Sequence, residues 1–354
     1  MRNICFVRRN FRFDGGAEVA ASAYLTALSR IGDVSLVCES WSGDHAGLTA
    51  IKVKKIGFTR GLKYKNFING CGAAVHNLGC IVHSHEWLPG SHVVRLGDGL
   101  HSDWLDIKRV SKIKRSLDGF HRQKLLFEKL TLTHQNLKKV IVNSEFIGRS
   151  VIKRYGFPEG KVQLIRNIVT PRFLHHDPCK LKRDDKKLLF VGSGWERKGL
   201  EVAIQAFSLL PTSWHFDVIG VDKKERKYKQ MTESLGVADR VNFLGAFPVA
   251  PDVYAKASVL IHPALYEPFP NVAVEALSQG VPVVSSFNSG TSDFNQSQGV
   301  WSVGGGPKKL ADSILYAGSV GEEDRASFRS HVCRFDETYL ESELQKVYLE
   351  ITNT

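Results

Sequence analysis

Two glutamates eight residues apart form the most specific chemical pattern in this sequence. They end the stretch Glu267-Pro-Phe-Pro-Asn-Val-Ala-Val-Glu275, which follows a short apolar run and His262-Pro263. Because proline favours the first position of a helix, Pro270 is predicted to begin a helix, and Glu267 to lie in the loop before it. Glu275 then lies little more than one turn inside that helix, which should stop at Gly280.

A helix start of this kind is suited to an anion. The N–H groups of Asn271, Val272 and Ala273 should point outward there, and such groups bind phosphate. A phosphate at this point would have a carboxylate on each side, able to accept hydrogen bonds from hydroxyls. An anion flanked by hydroxyls describes a nucleotide sugar. The alternative is a strand, a loop and a helix that carry two surface glutamates without a function.

A second group of candidate residues is basic. The stretch Leu189-Phe-Val-Gly192-Ser-Gly194-Trp-Glu-Arg197-Lys198-Gly199 predicts a strand, a glycine loop and two cations at the start of a helix. A departing nucleoside diphosphate gains negative charge, and each well-placed donor can lower the barrier by about 3 kcal/mol. Arg197 and Lys198 are the candidates, because a bidentate guanidinium and a point-charge ammonium serve different oxygens. Otherwise they are two exposed cations on a turn.

Together these motifs resemble those of the family-4 retaining glycosyltransferases. His262-Pro263, the two glutamates and Ala-Leu-Ser-Gln-Gly280-Val-Pro-Val-Val all fall at the family's spacing. The chain resembles in particular the members that add glucose to the lipopolysaccharide core. The resemblance implies an α/β protein of the GT-B fold, with two Rossmann-like, doubly wound domains that face a central cleft and a C-terminal helix that crosses back to the first domain.

The resemblance also implies a role for each residue. Glu267 would bind the sugar hydroxyls and Glu275 the ribose, while Arg197 and Lys198 would stabilise the diphosphate. Lys198 matches the family's lysine, but Ser193 stands where the family usually has arginine, so Arg197 must replace it. The further donor-binding candidates are Gly15, Gly16, Gly192, Gly245, Phe247, Pro268, Phe269, Pro270, Asn271 and Val272. A second departure is Asn167-Ile168-Val169, where relatives have Asn-Gly-Val.

Two residues of the first half compete for one role. Ile81-Val-His83-Ser-His85 places two histidines at the C-terminal end of a strand, where open α/β sheets bind ligands. A metal site is disfavoured, because no third ligand lies nearby in the sequence. The resemblance implies that either His85 or Asp98, at the end of the next strand, contacts the sugar or orients the acceptor hydroxyl. His85 is the better candidate for the sugar contact, and the sequence leaves both open.

The reaction that the resemblance implies is front-face attack with retention, in which the diphosphate helps to take the acceptor's proton. The sequence has no Asp-x-Asp that could hold a divalent metal. We therefore expect no metal and no cofactor besides the nucleotide-sugar substrate. UDP-glucose is the expected donor, and UDP-GlcNAc and GDP-mannose are the alternatives.

The charge distribution predicts an anionic partner. Residues 1–170 carry 27 Lys and Arg against 13 Asp and Glu, or +14, whereas residues 171–354 carry 21 against 23, or −2. A basic half-molecule suits nucleic acid, an anionic membrane or a phosphorylated substrate. A nucleic-acid-binding protein is the less favoured interpretation, because no helix-turn-helix, zinc or RNA-binding motif is present.

From Lys108 to Leu130, basic and apolar residues alternate as in helices that lie on anionic membranes. The basic candidates are Lys108, Arg109, Lys112, Lys114, Arg115, Arg122 and Lys124. Alternatively, the apolar stripe packs on the sheet and the cations are merely solvated. The resemblance favours a membrane-borne acceptor, either the lipopolysaccharide core or another anionic lipid-linked glycan. With six cysteines in no metal-ligand pattern and no apolar run for a membrane span, we expect a cytoplasmic protein, peripheral on the inner face of the cytoplasmic membrane.

Short apolar runs alternate with helical patterns along the whole chain, which is typical of parallel βαβ units. The predicted strands of the first half are Asn3–Val7, Val34–Cys38, Lys52–Ile56, Ile81–His85, Val93–Leu96, Lys139–Asn143 and Val162–Arg166. Those of the second half are Leu188–Gly192, Phe216–Gly220, Val241–Leu244, Ser258–Ile261, Val281–Ser285 and Val300–Val303. The expected domains are an acceptor domain (1–170), a donor domain (171–336) and a C-terminal helix (337–354) that packs on the first.

Overall fold

The computed structural model describes residues 3–11, 16–41, 48–76 and 78–353. The chain divides into two compact units. The first unit runs to Arg166 and includes the C-terminal helix from Glu337, and the second unit runs from Asn167 to Asp336. Each unit contains its own parallel sheet, so the predicted pair of doubly wound α/β domains is confirmed.

The strands lie within the apolar runs of the sequence. They are β1 Asn3–Val7, β2 Asn10–Phe11, β3 Asp33–Cys38, β4 Ser40–Trp41, β5 Thr49–Lys52, β6 Ile81–Ser84, β7 Val93–Leu96, β8 Lys139–Val142, β9 Val162–Leu164, β10 Lys187–Val191, β11 His215–Ile219, β12 Val241–Gly245, β13 Val259–His262, β14 Val283–Ser286 and β15 Val300–Val303.

Helices connect the strands and cover the sheets. They are α1 Gly16–Ser29, α2 Arg60–His76, α3 His101–Ile107, α4 Lys112–Leu117, α5 Gly119–Leu132, α6 Glu145–Tyr155, α7 Pro171–Leu174, α8 Trp195–Lys198, α9 Leu200–Phe207, α10 Glu225–Ser234, α11 Pro251–Ala255, α12 Asn271–Ser278, α13 Pro307–Gly318, α14 Glu322–Cys333 and α15 Glu337–Asn353.

The first sheet has the strand order β5-β3-β1-β6-β7-β8-β9, with all neighbours parallel. Every residue of β7 and β8 is buried, including Arg95 and Lys139, which explains why apolar residues follow one another in these strands instead of alternating with polar ones. The strand order reverses between β1 and β6, and the loops after these two strands leave the sheet at the same edge. Beside this sheet, β2 and β4 form a separate parallel pair.

The second sheet repeats this arrangement with the order β12-β11-β10-β13-β14-β15, again parallel throughout. The chain starts at the central strand β10, builds outward through β11 and β12, and then crosses to β13 on the other side. The switch point therefore lies between β10 and β13. Ligands of doubly wound sheets bind at such a point, beyond the carboxyl ends of the strands.

The C-terminal helix α15 belongs to the first unit. Its buried face consists of Leu340, Leu344, Val347 and Tyr348. The Tyr348 hydroxyl lies 3.0 Å from Nδ1 of His83 in β6, and Arg30 pairs with Glu341 at 2.7 Å. The helical spacing read from the sequence therefore corresponds to an apolar face packed against the first sheet and its helices.

One predicted strand is wrong. The run Lys52–Ile56 was expected to be a strand, but β5 is Thr49–Lys52, which pairs with β3 from Ser35 opposite Thr49. Ile56 is exposed, and its carbonyl accepts a hydrogen bond from the Asn66 amide at 3.1 Å. The apolar residues at the end of this run therefore belong to the turn into α2. The other predicted strands begin and end within two residues of the prediction, whereas the short strands β2 and β4 were not predicted.

Candidate active site

Arg197, Lys198 and Glu267 lie on the two loops that leave the switch point of the second sheet. Strand β10 is followed by Gly192 and then by α8, whose last two residues are Arg197 and Lys198. Strand β13 ends at His262, and the loop after it carries Glu267. Two loops that are 70 residues apart in sequence thus meet at the edge where such sheets bind ligands.

Arg197 joins the two loops through its side chain. Its Nη1 atom donates to Glu267 Oε2 at 2.6 Å and to the Tyr266 carbonyl at 3.2 Å. The backbone of Glu267 is held in addition, since its N–H donates to Asn288 and its carbonyl accepts from Gly290, at 3.0 and 2.9 Å. The carboxylate is therefore fixed before any ligand arrives.

Glu267 is an ionised acid in spite of its burial. Burial favours the neutral form, but contact with His262 and the charges of Lys198 and Arg197 outweigh it and lower the pKa of Glu267 to about 2. His262 is fully buried, its Nε2 lies 3.7 Å from Glu267 Oε2, and burial lowers its pKa. Because the pKa of Glu267 is depressed, its charge stabilises the fold above the ordinary glutamate pKa, and this contribution is lost as the pH falls towards 2.

Lys198 packs directly over Gly192. A Cβ atom at Gly192 would come within 2.8 Å of Lys198 Cδ and Cε, and the φ angle of Gly192 is +136°. A larger residue at position 192 would thus displace the lysine. Burial lowers the pKa of Lys198, as does Arg197, while Glu267 and Glu275 raise it. An anionic ligand at this point would favour the ammonium form.

Glu275 lies in α12, in a different environment. The Tyr254 hydroxyl donates to Glu275 Oε2 at 2.5 Å. Burial raises the pKa of Glu275, although the hydrogen bond from Tyr254 and the charges of Arg172 and Lys198 act in the opposite direction. The two glutamates of the motif therefore share the field of Lys198, but their pKa values shift in opposite directions.

The start of α12 differs from the prediction by one residue. Pro270 is the N-cap, with an extended ψ of 120°, and the helix begins at Asn271. The N–H of Ala273, expected to point outward, instead donates to the Pro270 carbonyl at 3.1 Å. The first turn closes on itself in this way, so Ala273 does not contribute to an anion site. Val272 lies half-buried in the same turn.

Asn167 supports this helix start and was not assigned a role from the sequence. Its Nδ2 donates to Asn271 Oδ1 at 2.6 Å and to the Phe269 carbonyl at 3.3 Å. Pro268, Phe269 and Pro270 are buried, so the loop is anchored by packing as well. The Asn-Ile-Val sequence, noted as a departure from the family, was the only indication that this segment mattered.

The ends of β10, β11 and β12 place further candidates at the same edge. The Gly220 N–H donates to the Gly245 carbonyl at 2.7 Å, and Gly245 has a φ of +75° with open space around its Cα. Phe247 follows and is partly exposed. Ser193, which stands where the family has arginine, accepts a hydrogen bond from the Val221 N–H at 3.2 Å. It therefore fixes the loop and supplies no charge.

In the first unit, His85 directly follows β6 at the other switch point. Its N–H donates to the Val7 carbonyl at 2.9 Å, its side chain is buried, and no described group hydrogen-bonds to its Nε2. Burial, followed by the charge of Arg95, lowers the pKa of His85 well below the usual value. The ring centre of His83 is 5.5 Å away. The described part of the chain contains no group of three or more His, Cys, Asp or Glu residues that could hold a metal.

The remaining candidates of the first unit are spread along the same edge. Asp98 is exposed in the turn after β7. Gly16 is the first residue of α1, whereas Gly15 lies outside the described residues. The structure thus places His85 at the switch point of this sheet and Asp98 one strand farther along.

The basic stretch forms α4 and α5, with Lys108 and Arg109 just after α3. Lys108, Arg109, Lys112, Lys114 and Arg122 are exposed. Two other candidates are engaged within the protein, since Arg115 pairs with Asp106 at 2.6 Å and Lys124 Nζ lies 4.3 Å from the centre of the Tyr64 ring.

The apolar residues of the same stretch are divided between the two helices. In α4, Ile113 and Leu117 are 72% and 79% exposed, whereas Phe127 of α5 is buried. Helix α5 therefore packs part of its stripe on the protein, while α4 has no buried residue. None of the described helices is both long and apolar enough to cross a bilayer.

Two family models match the chain. The model for "Glycosyl transferases group 1" matches residues 172–330, and that for "Glycosyltransferase Family 4" matches residues 14–173. Together they cover both units. The chain belongs to the family-4 glycosyltransferases of the GT-B fold, as the sequence motifs predicted.

The relatives include well-defined enzymes. Over 134 residues the chain is 32% identical to the lipopolysaccharide glucosyltransferase WaaG of Escherichia coli K12, an alignment that spans 37% of this chain but only 35% of that protein. The crystal structure of WaaG, described as a glycosyltransferase involved in lipopolysaccharide biosynthesis, matches 99% of this chain and 100% of its own with a TM-score of 0.79 at 20% identity. Anabaena HepE in complex with UDP and glucose matches 99% and 100% with a TM-score of 0.72 at 17% identity.

The close approach of the two site loops leads to a test of their packing. Gly199 has a φ of +78°, and a Cβ atom there would collide with the Pro263 carbonyl oxygen. We expect Gly199→Ala to lower the free energy of unfolding by about 3 kcal/mol, measured by urea denaturation. Gly236→Ala is the matched control, because Gly236 has a φ of +65° but no neighbour within 4 Å, and it should cost only about 1 kcal/mol. Equal losses in both variants would argue against tight loop packing at Gly199.

Proposed function

We propose that this protein is a retaining hexosyltransferase that moves glucose from UDP-glucose to a membrane-borne acceptor, the lipopolysaccharide core or a similar anionic glycan. The observation that carries the proposal is the cluster of Arg197, Lys198 and Glu267 at the switch point, with Glu275 in the field of Lys198. The similarity to WaaG supports glucose and a lipopolysaccharide acceptor. The complex of HepE with UDP and glucose supports a UDP-sugar as the donor.

In the proposed reaction, the bond between the anomeric carbon and the diphosphate oxygen breaks while the acceptor oxygen bonds to the same face of that carbon. The acceptor's proton passes to an oxygen of the leaving diphosphate, so the products are the glycoside and UDP. Arg197 and Lys198 stabilise the charge that develops on the diphosphate. We assign to these two cations the work that a divalent metal performs in other transferases, and the proposal requires no cofactor.

The carboxylates and the first unit supply the binding contacts. Glu267 is ionised and accepts hydrogen bonds from sugar hydroxyls, and Glu275 accepts them from the ribose. His85 is the better candidate for a further contact with the sugar, because its neutral ring has a buried Nε2 without a partner in the described residues. Asp98 is the alternative, and its exposed position also suits a contact with the acceptor hydroxyl.

A donor screen tests the proposal directly. The purified protein is incubated with UDP-glucose, UDP-GlcNAc or GDP-mannose, and the released UDP or GDP is measured with and without purified lipopolysaccharide core. We expect the fastest release from UDP-glucose and an increase when the core is present. Faster release from one of the other donors would replace the glucose assignment, and no release from any donor would contradict the proposed activity.

The role of Lys198 can be measured separately from donor binding. We expect Lys198→Ala to lower kcat about 100-fold, with a smaller change in the KM for the donor, because the leaving group gains charge mainly in the transition state. Lys229→Ala is the control, since Lys229 pairs with Glu225 on the surface of α10. An unchanged kcat in Lys198→Ala would remove this lysine from the mechanism.

We infer that the acceptor is reached at an anionic membrane surface, on the inner face of the cytoplasmic membrane. The exposed cations beside α4 supply attraction to acidic headgroups, each by about 1 kcal/mol near the surface. Ile113 and Leu117 supply apolar side chains that can enter the boundary between headgroups and acyl chains. A peripheral position of this kind needs no membrane-spanning helix.

We add to this proposed surface a second segment, which the sequence did not reveal. Phe58, just before α2, is 99% exposed. Gly61, three residues later, is so close to Gly119 at the start of α5 that an added Cβ would lie 2.6 Å from its carbonyl carbon. Arg60 lies 4.1 Å from the centre of the Phe120 ring. The turn that carries Phe58 therefore adjoins the loop after Leu117.

Vesicle binding tests this surface. We expect the full chain to co-sediment with phosphatidylglycerol vesicles but not with phosphatidylcholine vesicles, and the double variant Phe58→Ser/Leu117→Ser to bind about tenfold more weakly. Leu209→Ser is the control, because Leu209 is an exposed leucine of the second unit. Equal binding by the double variant and the wild type, or equal binding to both lipids, would contradict the assignment.

A further inference from the structure

We propose that Tyr254 is a positioning residue for nucleotide binding: its hydroxyl holds the Glu275 carboxylate in one orientation, so that Oε1 is directed to the hydroxyl pair of the donor's ribose. The inference rests on the proposed function, since it assumes that Glu275 binds the ribose. It starts from the hydrogen bond of 2.5 Å between the Tyr254 hydroxyl and Glu275 Oε2. The two residues lie 21 positions apart, on α11 and α12.

The geometry of Tyr254 is rigid. The side chain is fully buried, and its ring packs edge-on against Phe173, with 5.6 Å between the ring centres and 67° between the planes. Helix α11 also packs against α12. A tyrosine held in this way cannot follow a carboxylate that rotates, so the hydrogen bond selects one orientation of Glu275.

The direction of the hydrogen bond follows from the protonation of both groups. Burial and the neighbouring charge of Glu275 raise the pKa of Tyr254 well above its usual value, so the phenol keeps its proton and donates it. The groups that face Glu275 are Tyr254, Arg172 and Lys198, and all three favour its charged form against the effect of burial. Tyr254 therefore contributes to keeping Glu275 an acceptor.

The other carboxylate oxygen is available to a ligand. No described group donates to Glu275 Oε1, and Glu275 is only half-buried. A carboxylate oxygen accepts more than one hydrogen bond, so one oxygen can serve two adjacent hydroxyls. A vicinal diol is the chemical group that fits this site, and the ribose of a nucleotide contains one.

The experiment measures nucleotide binding by calorimetry and requires no acceptor. UDP and 2′,3′-dideoxy-UDP are titrated into the wild type, Tyr254→Phe and Tyr228→Phe. Tyr228 is a buried tyrosine of the same unit that packs against Trp195, with 5.4 Å between the ring centres, and serves as the control. We expect Tyr254→Phe to bind UDP about tenfold more weakly, while its affinity for dideoxy-UDP and the affinities of Tyr228→Phe stay close to those of the wild type.

A second series excludes a merely structural effect. In a Glu275→Ala background, Tyr254→Phe should cause no further loss of UDP affinity, because position 275 then has no side-chain acceptor for the Tyr254 hydroxyl. The substitution Tyr254→Phe removes a hydrogen-bond donor that favours the charged form of Glu275. The loss of UDP affinity in Tyr254→Phe alone should therefore grow as the pH is lowered from 8 to 6, because Glu275 is more readily protonated in the variant. Equal losses for UDP and dideoxy-UDP, or additive losses in the double variant, would overturn the inference. If the wild type does not bind UDP, the proposed function itself fails.

Discussion

The ionised carboxylate of Glu267 is the charge around which the site is built. A carboxylate in this position would be neutralised by burial if it stood alone, so its low pKa requires Arg197, Lys198 and His262 to stay in place. Breaking one member leaves the others buried without compensation. Fixed charges of this kind are what electrostatic catalysis needs.

Both units concentrate charged and polar residues at the switch point of a doubly wound sheet. In the second unit, Gly199 allows the loops after β10 and β13 to approach closely, because a Cβ atom there would collide with the Pro263 carbonyl, and Gly192 leaves room for the Lys198 side chain. In the first unit, the Arg9 N–H donates to Glu86 Oε1 at 3.1 Å, so the loops after β1 and β6 are joined as well. Because both halves have this topology, the same pattern of a short apolar strand followed by polar residues predicted candidate site positions in each half.

The fold was predictable from the alternation of apolar runs and helical patterns, and so were the motif residues whose spacing is local, such as Glu267 and Glu275. Contacts between segments that are distant in the sequence could not be predicted in this way. Tyr254 precedes Glu275 by 21 residues in an ordinary helix, and Phe58 lies beside the loop after Leu117 because α2 packs against α5. The strand at Lys52–Ile56 was misplaced for a related reason: pairing with β3, rather than local apolar content, decides where β5 ends.

The opposite environments of Glu267 and Glu275 bear on why one motif needs two acids. Glu267 lies among full charges that lower its pKa to about 2, which suits the proposed acceptor of hydrogen bonds beside a developing cation. Glu275 is held mainly by a neutral phenol, and burial raises its pKa. It therefore depends on the ligand and on Tyr254 for its charge, which suits recognition more than catalysis. Two carboxylates of the same type thus have different pKa values because of their surroundings, as in other active sites where pairs of acids have different roles.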